Sequence, residues 1–153
     1  MFIAGATGTI SKYNNITTVS GGVPAIYATA DLTAQSAAKA ATTLYTPTAT
    51  GGFRITCALK VTTAATTSST LGAVTITYTS GDGSVAQSIV MNMDTAAGAS
   101  ATTSTTNSTT TSTLSGVLVI YALTGVAIQY AIAYVSSGAT AMQYSAHLKC
   151  EAM

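Results

Sequence analysis

The most constraining feature of this sequence is a run of twenty residues, 116–135, that contains no charged side chain. A run of this length is what a membrane-spanning helix needs. However, Leu123, Thr124 and Gly125 interrupt it, β-branched and aromatic residues dominate it, and no Lys or Arg lies nearby to set an orientation. After the interruption, the large apolar residues occupy every second position: Ile128, Tyr130, Ile132 and Tyr134. Because this alternation is typical of a half-buried β-strand, we predict two strands joined by a tight turn and no membrane segment.

The same alternation recurs along the chain. It is clearest at residues 53–61, where Arg, Thr, Ala and Lys separate the apolar residues Phe53, Ile55, Cys57, Leu59 and Val61. Residues 74–78 and 85–92 flank the turn formed by residues 80–83, which predicts a hairpin. Further strands are expected near residues 23–32, 115–122, 126–135 and 140–151. About eight strands at this spacing predict an all-β fold, an antiparallel β-sandwich.

Four segments do not show this pattern. Residues 1–22 end at a Gly-Gly-Val-Pro breaker and are predicted to form an extended N-terminal arm, followed by one domain at 23–153. Residues 33–43 fit either a short turn or a meandering strand. Residues 62–70 are expected to be a polar loop, and residues 95–113 are so rich in Ser, Thr, Ala and Gly that we expect an exposed loop.

The surface is predicted to be unusually neutral. Charged residues make up 6% of the chain and the formal net charge is +1, whereas about 25% charged residues are usual. Such a chain has no field to attract nucleic acid, and a net charge near zero favours self-association. No Asp, Glu, Lys or Arg lies between Asp94 and Lys149. We therefore expect the outward faces of those strands to be covered by another subunit.

Catalytic chemistry has few candidates in this sequence. A nucleophile–base pair would have to use His147, the only histidine, and the only acids are Asp31, Asp82, Asp94 and Glu151. His147 alternates with apolar neighbours, so we expect an exposed or interface imidazole. Asp82 lies between two glycines, as is usual in a turn. We predict no enzyme, no metal site and no cofactor.

The two cysteines, Cys57 and Cys150, lack metal-ligand spacing. Residues 1–5 lack the basic and long apolar regions of a secretory signal, so we expect no export. A cytosolic origin would keep both cysteines as free thiols, with a disulfide as the alternative.

Residues 44–47 and 52–55, together with residues 115–121 and 125–128, resemble the jelly roll of the complement C1q and tumour-necrosis-factor superfamily. In that family, a Thr-Pro, Gly, aromatic entry leads into a central strand, and a Leu-x-x-Gly turn follows a later one. The resemblance implies a compact homotrimer whose subunits bury flat, aromatic-rich sheet faces. We expect no collagen-like or coiled-coil stalk before the predicted domain, because residues 1–22 show neither pattern, and this departs from the family pattern.

Residues 61–69, 136–144 and 147–151 resemble small virion-associated proteins of tailed phages and prophages. This resemblance implies a structural protein of the virion that is assembled in the bacterial cytoplasm. We expect a capsid decoration protein that binds the head as a trimer, with the major capsid protein or another virion protein as partner. The alternative is a tail fibre, spike or other tail component with a receptor-binding jelly-roll head.

Two sets of residues are predicted to make these contacts. Tyrosines suit subunit packing because a large ring is joined to a polar hydroxyl, although core packing or ligand binding would also use them. The apolar residues of the arm are too irregular for an amphipathic helix, and we expect them to dock on the particle. The predicted subunit-interface residues are Tyr121, Tyr130, Tyr134 and Tyr144, and the predicted docking residues are Phe2, Ile3, Ile10, Tyr13 and Ile16.

Overall fold

The computed structural model describes residues 25–95, 104–106 and 112–153. Within these residues the chain forms strands and no helix. The strands are β1 (Ile26–Gln35), β2 (Lys39–Tyr45), β3 (Gly51–Thr63), β4 (Ser68–Thr79), β5 (Ala86–Val90), β6 (Asp94–Thr95), β7 (Ser104–Thr106), β8 (Thr113–Ala122), β9 (Ile128–Ser137) and β10 (Gln143–Ala152). Eight of them have five or more residues, and β6 and β7 are short. The predicted all-β fold with about eight strands is confirmed.

The strands form two sheets. Sheet I has the order β1-β10-β3-β8-β6, and sheet II has the order β2-β9-β4-β5, with β7 also paired to β4. Every ladder in both sheets is antiparallel. The predicted antiparallel sandwich is therefore confirmed.

The pairing of the eight longer strands is nested. The first pairs with the last (β1 with β10), the second with the seventh (β2 with β9), the third with the sixth (β3 with β8) and the fourth with the fifth (β4 with β5). This is the pattern of one long hairpin that is rolled into two packed sheets. The topology is jelly-roll-like.

The core lies between the two sheets and follows the predicted alternation. The five apolar residues of β3 are at most 5% exposed, and Tyr144, Leu148 and Ile76 are completely buried. Three methionines, Met91, Met93 and Met142, fill space between the sheets and are at most 1% exposed. Since a fully buried large apolar side chain contributes about 1.5–3 kcal/mol, this layer supplies the main driving force for folding.

The uncharged run at residues 116–135 becomes the end of β8, a turn and most of β9, as predicted. Gly125 in the turn has a φ of 75°, which glycine adopts without steric cost. No helix of the described ranges is long and apolar enough to cross a membrane.

The structure corrects the bounds of one predicted loop and assigns strands to one undecided segment. Residues 68–70 belong to β4 and pair with residues 135–137 of β9, so the predicted loop at 62–70 is limited to residues 64–67. Here Ser69 is 4% exposed and Leu71 is completely buried. The segment at 33–43, whose structure the sequence left undecided, contains the end of β1 and the start of β2. Much of the segment 95–113 lies outside the described residues, as does the whole arm at 1–22.

Candidate functional site

The two outer faces of the sandwich differ in charge. The outer face of sheet I carries six of the chain's nine acidic and basic residues and the histidine: Asp31, Arg54, Lys60, Asp94, His147, Lys149 and Glu151. In sheet II, β4, β5 and β9 contain no charged residue. The strands between Asp94 and Lys149 therefore do not share one neutral outer face, as the charge-free interval in the sequence had suggested. The charge-free interval is divided, with β8 in sheet I and β9 in sheet II.

A shallow cleft lies on the outer face of sheet I. Asp31, His147, Ala58 and Ser115 occupy one row across four neighbouring strands, and Asp94 on β6 lies opposite Ser115. The cleft has a volume of about 690 Å³, with the small side chains of Ala58 and Ser115 in its floor. Its other lining residues include Thr56, Asn92, Asp94, His147 and Lys149. The cleft could therefore offer hydrogen bonds and both signs of charge to a ligand.

Two cross-strand polar pairs lie on the outer face of sheet I. Arg54 on β3 contacts its cross-strand neighbour Glu151, with 2.6 Å between Nη2 and Oε2 and 2.7 Å between Nε and Oε2. His147 Nδ1 lies 2.6 Å from Asp31 Oδ1, and both side chains are more than half exposed. A pair as exposed as His147–Asp31 contributes about 0–1 kcal/mol, so its main effect is to orient the two side chains.

The His147–Asp31 pair does not extend to a nucleophile. Ser115 is the nearest serine of the same row on β8, but Ala58 of β3 lies between the two strands. Two strand spacings separate the backbones of His147 and Ser115 by roughly 10 Å, and the side chain that His147 contacts within the described residues is Asp31. The arrangement thus lacks the nucleophile–base contact that a triad requires. No group of three or more His, Cys, Asp or Glu side chains that could hold a metal ion occurs in the described residues.

Two of the four predicted interface tyrosines are buried in the core of a single chain, and Tyr134 is partly buried against that core. Tyr130 is 3% exposed and Tyr144 is completely buried. The hydroxyl of Tyr134 donates to Met142 O at 2.7 Å, and that of Tyr144 donates to Ala37 O at 3.0 Å. Burial, with Tyr134 and Tyr130 nearby, raises the pKa of Tyr144 to about 12. Burial within one chain leaves Tyr130 and Tyr144 almost no surface for a subunit contact, whereas the assignment of the partly buried Tyr134 to the interface stays a prediction.

Tyr121 lies on the outer face of β8, and its assignment to the subunit interface stays a prediction. It is 45% exposed, and Val117 and Val119 on the same face are 60% and 57% exposed. We call these three residues the β8 stripe. The sequence analysis did not predict that the two valines form part of an exposed apolar surface. The signal was present, because every residue from 117 to 121 is apolar and such a strand must be apolar on both faces.

Cys57 and Cys150 are both buried and free. Burial raises the pKa of the Cys57 thiol to about 12, and burial together with the nearby Glu151 raises that of Cys150 to about 11. Both thiols therefore stay protonated and unreactive near neutral pH. The predicted docking residues Phe2, Ile3, Ile10, Tyr13 and Ile16 lie outside the described residues.

No family model, curated protein or solved structure matches this chain.

Proposed function

We propose that this chain is a non-enzymatic structural protein of a tailed-phage virion, where it assembles as a homotrimer and decorates the capsid. The observation that carries the proposal is the β8 stripe, an exposed apolar row on a strand that contains no charged residue. Exposed apolar rows of this kind mark protein–protein contacts. A decoration protein needs such contacts, since it functions by binding to copies of itself and to the particle.

The surface of the sandwich favours contact with other protein chains over catalysis on a small molecule. Strands β4, β5, β8 and β9 contain no charged residue, so contacts across them cost little desolvation. Several polar groups on the outer face of sheet I are already paired with one another, Arg54 with Glu151 and His147 with Asp31. A non-enzymatic role suits a histidine that contacts a carboxylate and no nucleophile among the described residues.

The sequence resemblances fit this proposal. The motif at residues 44–47 ends β2, the motif at 52–55 begins β3, and the motif at 115–121 lies in β8, so they fall on strands of a jelly-roll-like sandwich. The superfamily that these motifs resemble forms homotrimers. The phage-like phrases at 61–69 and 136–144 meet across the β4–β9 ladder, where Ser68 pairs with Ser137.

The arm at residues 1–22 would attach this trimer to the major capsid protein or to another virion protein. A chain that begins at Gly22 should remain folded and trimeric by circular dichroism and light scattering. It should fail to bind particles that lack the native protein, whereas the full chain binds. Binding by the shortened trimer would move the attachment surface to the body.

A receptor-binding head on a tail fibre is the second candidate function. The cleft on sheet I favours it, because Lys149, Asp94, Thr56 and Asn92 border one recess where a polar receptor could bind. Quantitative gel analysis of purified virions separates the two functions. Hundreds of copies per particle support the decoration protein, whereas a few to a few tens support the tail component.

A further inference from the structure

One end of the sandwich carries most of the exposed apolar side chains. At this end β4, β8 and β10 finish and β3 and β9 begin. Of the ten large apolar side chains that are exposed among the described residues, six lie here: Ile26, Tyr27, Val85, Tyr121, Val126 and Met153. The turns at the opposite end, at 36–38, 64–67 and 138–142, contain none of the ten. We call the end with these six residues the apolar end.

A small cavity opens at the apolar end, between the two sheets. Its walls include the rings of Tyr27 and Tyr45, which stack with 5.0 Å between their centroids, and the ring of Phe53. Gly51 also borders it and lies on the same face of β3 as the buried Phe53. A Cβ at Gly51 would meet no atom within 4 Å beyond its chain neighbours. The cavity has a volume of about 150 Å³, enough to accept one benzene-sized group.

The N-terminal arm leaves the body at the rim of this cavity. Ala25, the first described residue, accepts a hydrogen bond from Ala152 N at 2.9 Å. The next residue, Met153, lines the cavity and donates from its own backbone N to Gly52 O at 3.1 Å. The arm therefore starts directly beside the exposed apolar side chains.

The other residues outside the described ranges, within 96–111, are flanked by residues in the opposite half of the sandwich. Thr95 pairs with Leu114, the second residue of β8. Ser112 O accepts a hydrogen bond from Val61 N, near the end of β3. Strand β7 pairs with the first half of β4. The arm is thus the segment whose point of departure lies at the apolar end.

The half of the arm nearest the body matches this end in size and chemistry. Residues 13–24 can span up to roughly 40 Å when extended. This reach exceeds the roughly 14 Å from β1 to β8 across sheet I. The segment contains no charged residue, and its large apolar residues are Tyr13, Ile16, Val19 and Val23.

The charges at the apolar end also complement those of the arm. The Arg54 guanidinium near this end is already paired with Glu151, whereas no ion pair of the described residues includes Asp82. Asp82 follows Gly81, whose position is in close contact with the ring of Tyr121. The arm has one charged side chain, Lys12. An arm that crosses the apolar end would bring a cation towards an unpaired carboxylate.

We infer that residues 13–24 of the arm fold back over the apolar end of their own chain and place one apolar side chain in the cavity. The occupant is the chain's own arm because it is tethered at the rim. A short tether gives an effective concentration of about 1 mM, so a site with a dissociation constant of about 0.1 mM is occupied at a ratio of about 10 to 1. This inference goes beyond the proposed function, and it leaves Phe2, Ile3 and Ile10 for contacts with the particle.

The test measures how fast a maleimide labels Thr48→Cys in the full chain. Thr48 is exposed and borders the cavity, and both native thiols are buried. Adding Tyr13→Ser and Ile16→Ser should speed labelling about tenfold, because the segment that covers the thiol loses its apolar contacts. The matched pair Phe2→Ser and Ile3→Ser should change the rate by less than about twofold.

A second thiol controls for effects on the whole chain. Ala139→Cys lies in the exposed turn between β9 and β10, at the opposite end. Its labelling rate should be the same with the native arm and with both substituted arms, and circular dichroism should show one fold throughout. Equal labelling of Thr48→Cys with the native arm and with Tyr13→Ser/Ile16→Ser would overturn the inference.

Cross-linking identifies which arm covers the apolar end. In a chain that carries Ile16→Cys and Thr48→Cys, a short bismaleimide should join the two new thiols within one chain. The product should then migrate as a monomer on a denaturing gel. A dimeric product would assign the covering arm to a second copy and overturn the inference. Neither experiment contains virus particles, so both results are independent of the proposed virion role.

Discussion

Replacing Tyr130 by aspartate would place a carboxylate in the core of the sandwich. Tyr130 lies on β9, is 3% exposed and has Thr42 of β2 and Ile76 of β4 as its cross-strand neighbours. Ile76 is completely buried. The ring therefore fills space between the sheets, and no cation of the described residues lies in these ladder positions to pair with a carboxylate.

The expected decrease in the free energy of unfolding of Tyr130→Asp has two contributions. Removal of a buried aromatic ring costs about 3 kcal/mol. An uncompensated buried charge costs about 3 kcal/mol more. The sum of roughly 6 kcal/mol is comparable with the entire free energy of unfolding of many domains, about 5–15 kcal/mol. For a chain of this size, about 2–4 °C of melting temperature corresponds to 1 kcal/mol, so the melting temperature should fall by about 12–24 °C.

Thermal unfolding followed by circular dichroism at one fixed protein concentration measures this change. Tyr130→Phe keeps the ring, and Gln129→Asp puts the same carboxylate on the partly exposed outward face of the same strand. Both controls should melt within about 4 °C of the wild type, since neither opens the core nor buries a charge. The trimer should be lost with Tyr130→Asp because its subunits unfold. A Tyr130→Asp protein that melts within about 2 °C of the wild type would show that β9 does not face the core as described.

Three further predictions concern stability. Tyr144→Phe removes the hydrogen bond to Ala37 O and should lower the free energy of unfolding in urea by about 1 kcal/mol. Gly116→Val should cost about 1–3 kcal/mol in the same assay, because even a Cβ at this position would lie 2.6 Å from a methionine sulfur and a backbone oxygen. The pKa of Cys57 rises from 9.0 to about 12 and that of Cys150 from 9.0 to about 11 on burial. Above pH 9 the unfolded chain loses these protons while the folded chain keeps them, so stability should fall as pH rises from 9 towards 11, and replacement of both cysteines by alanine should flatten that slope.

The strands could be predicted because one face of each is buried. In β3, the apolar residues at 53, 55, 57, 59 and 61 all point into the core, and the turn before β5 has the Gly residues that a tight connection needs. Once a strand has formed, alternation with a period of two determines which face of the sheet each side chain occupies. Consequently, the hairpin, β3 and the division of the uncharged run into β8 and β9 were all predictable.

The candidate site was less predictable, for two physical reasons. Consecutive strands of a jelly roll cross between sheets, so a charge-free interval that is continuous in sequence is divided between two outer faces. A tyrosine suits a core and an interface equally well, since its hydroxyl needs only one acceptor. For Tyr144 that acceptor is Ala37 O, a backbone group 107 positions away. No local pattern reveals such a contact.

The nested strand order also determines how the chain must fold. The β4–β5 hairpin joins neighbours in sequence, whereas Asp31 and His147, which pair β1 with β10, are 116 residues apart. Closing larger loops costs more conformational entropy, so we expect the hairpin to form first and the outer pairs to add in turn. Non-local pairing of this kind places folding in the range of milliseconds to seconds. Strand β10 lies between β1 and β3, so during synthesis sheet I stays split until β10 has left the ribosome.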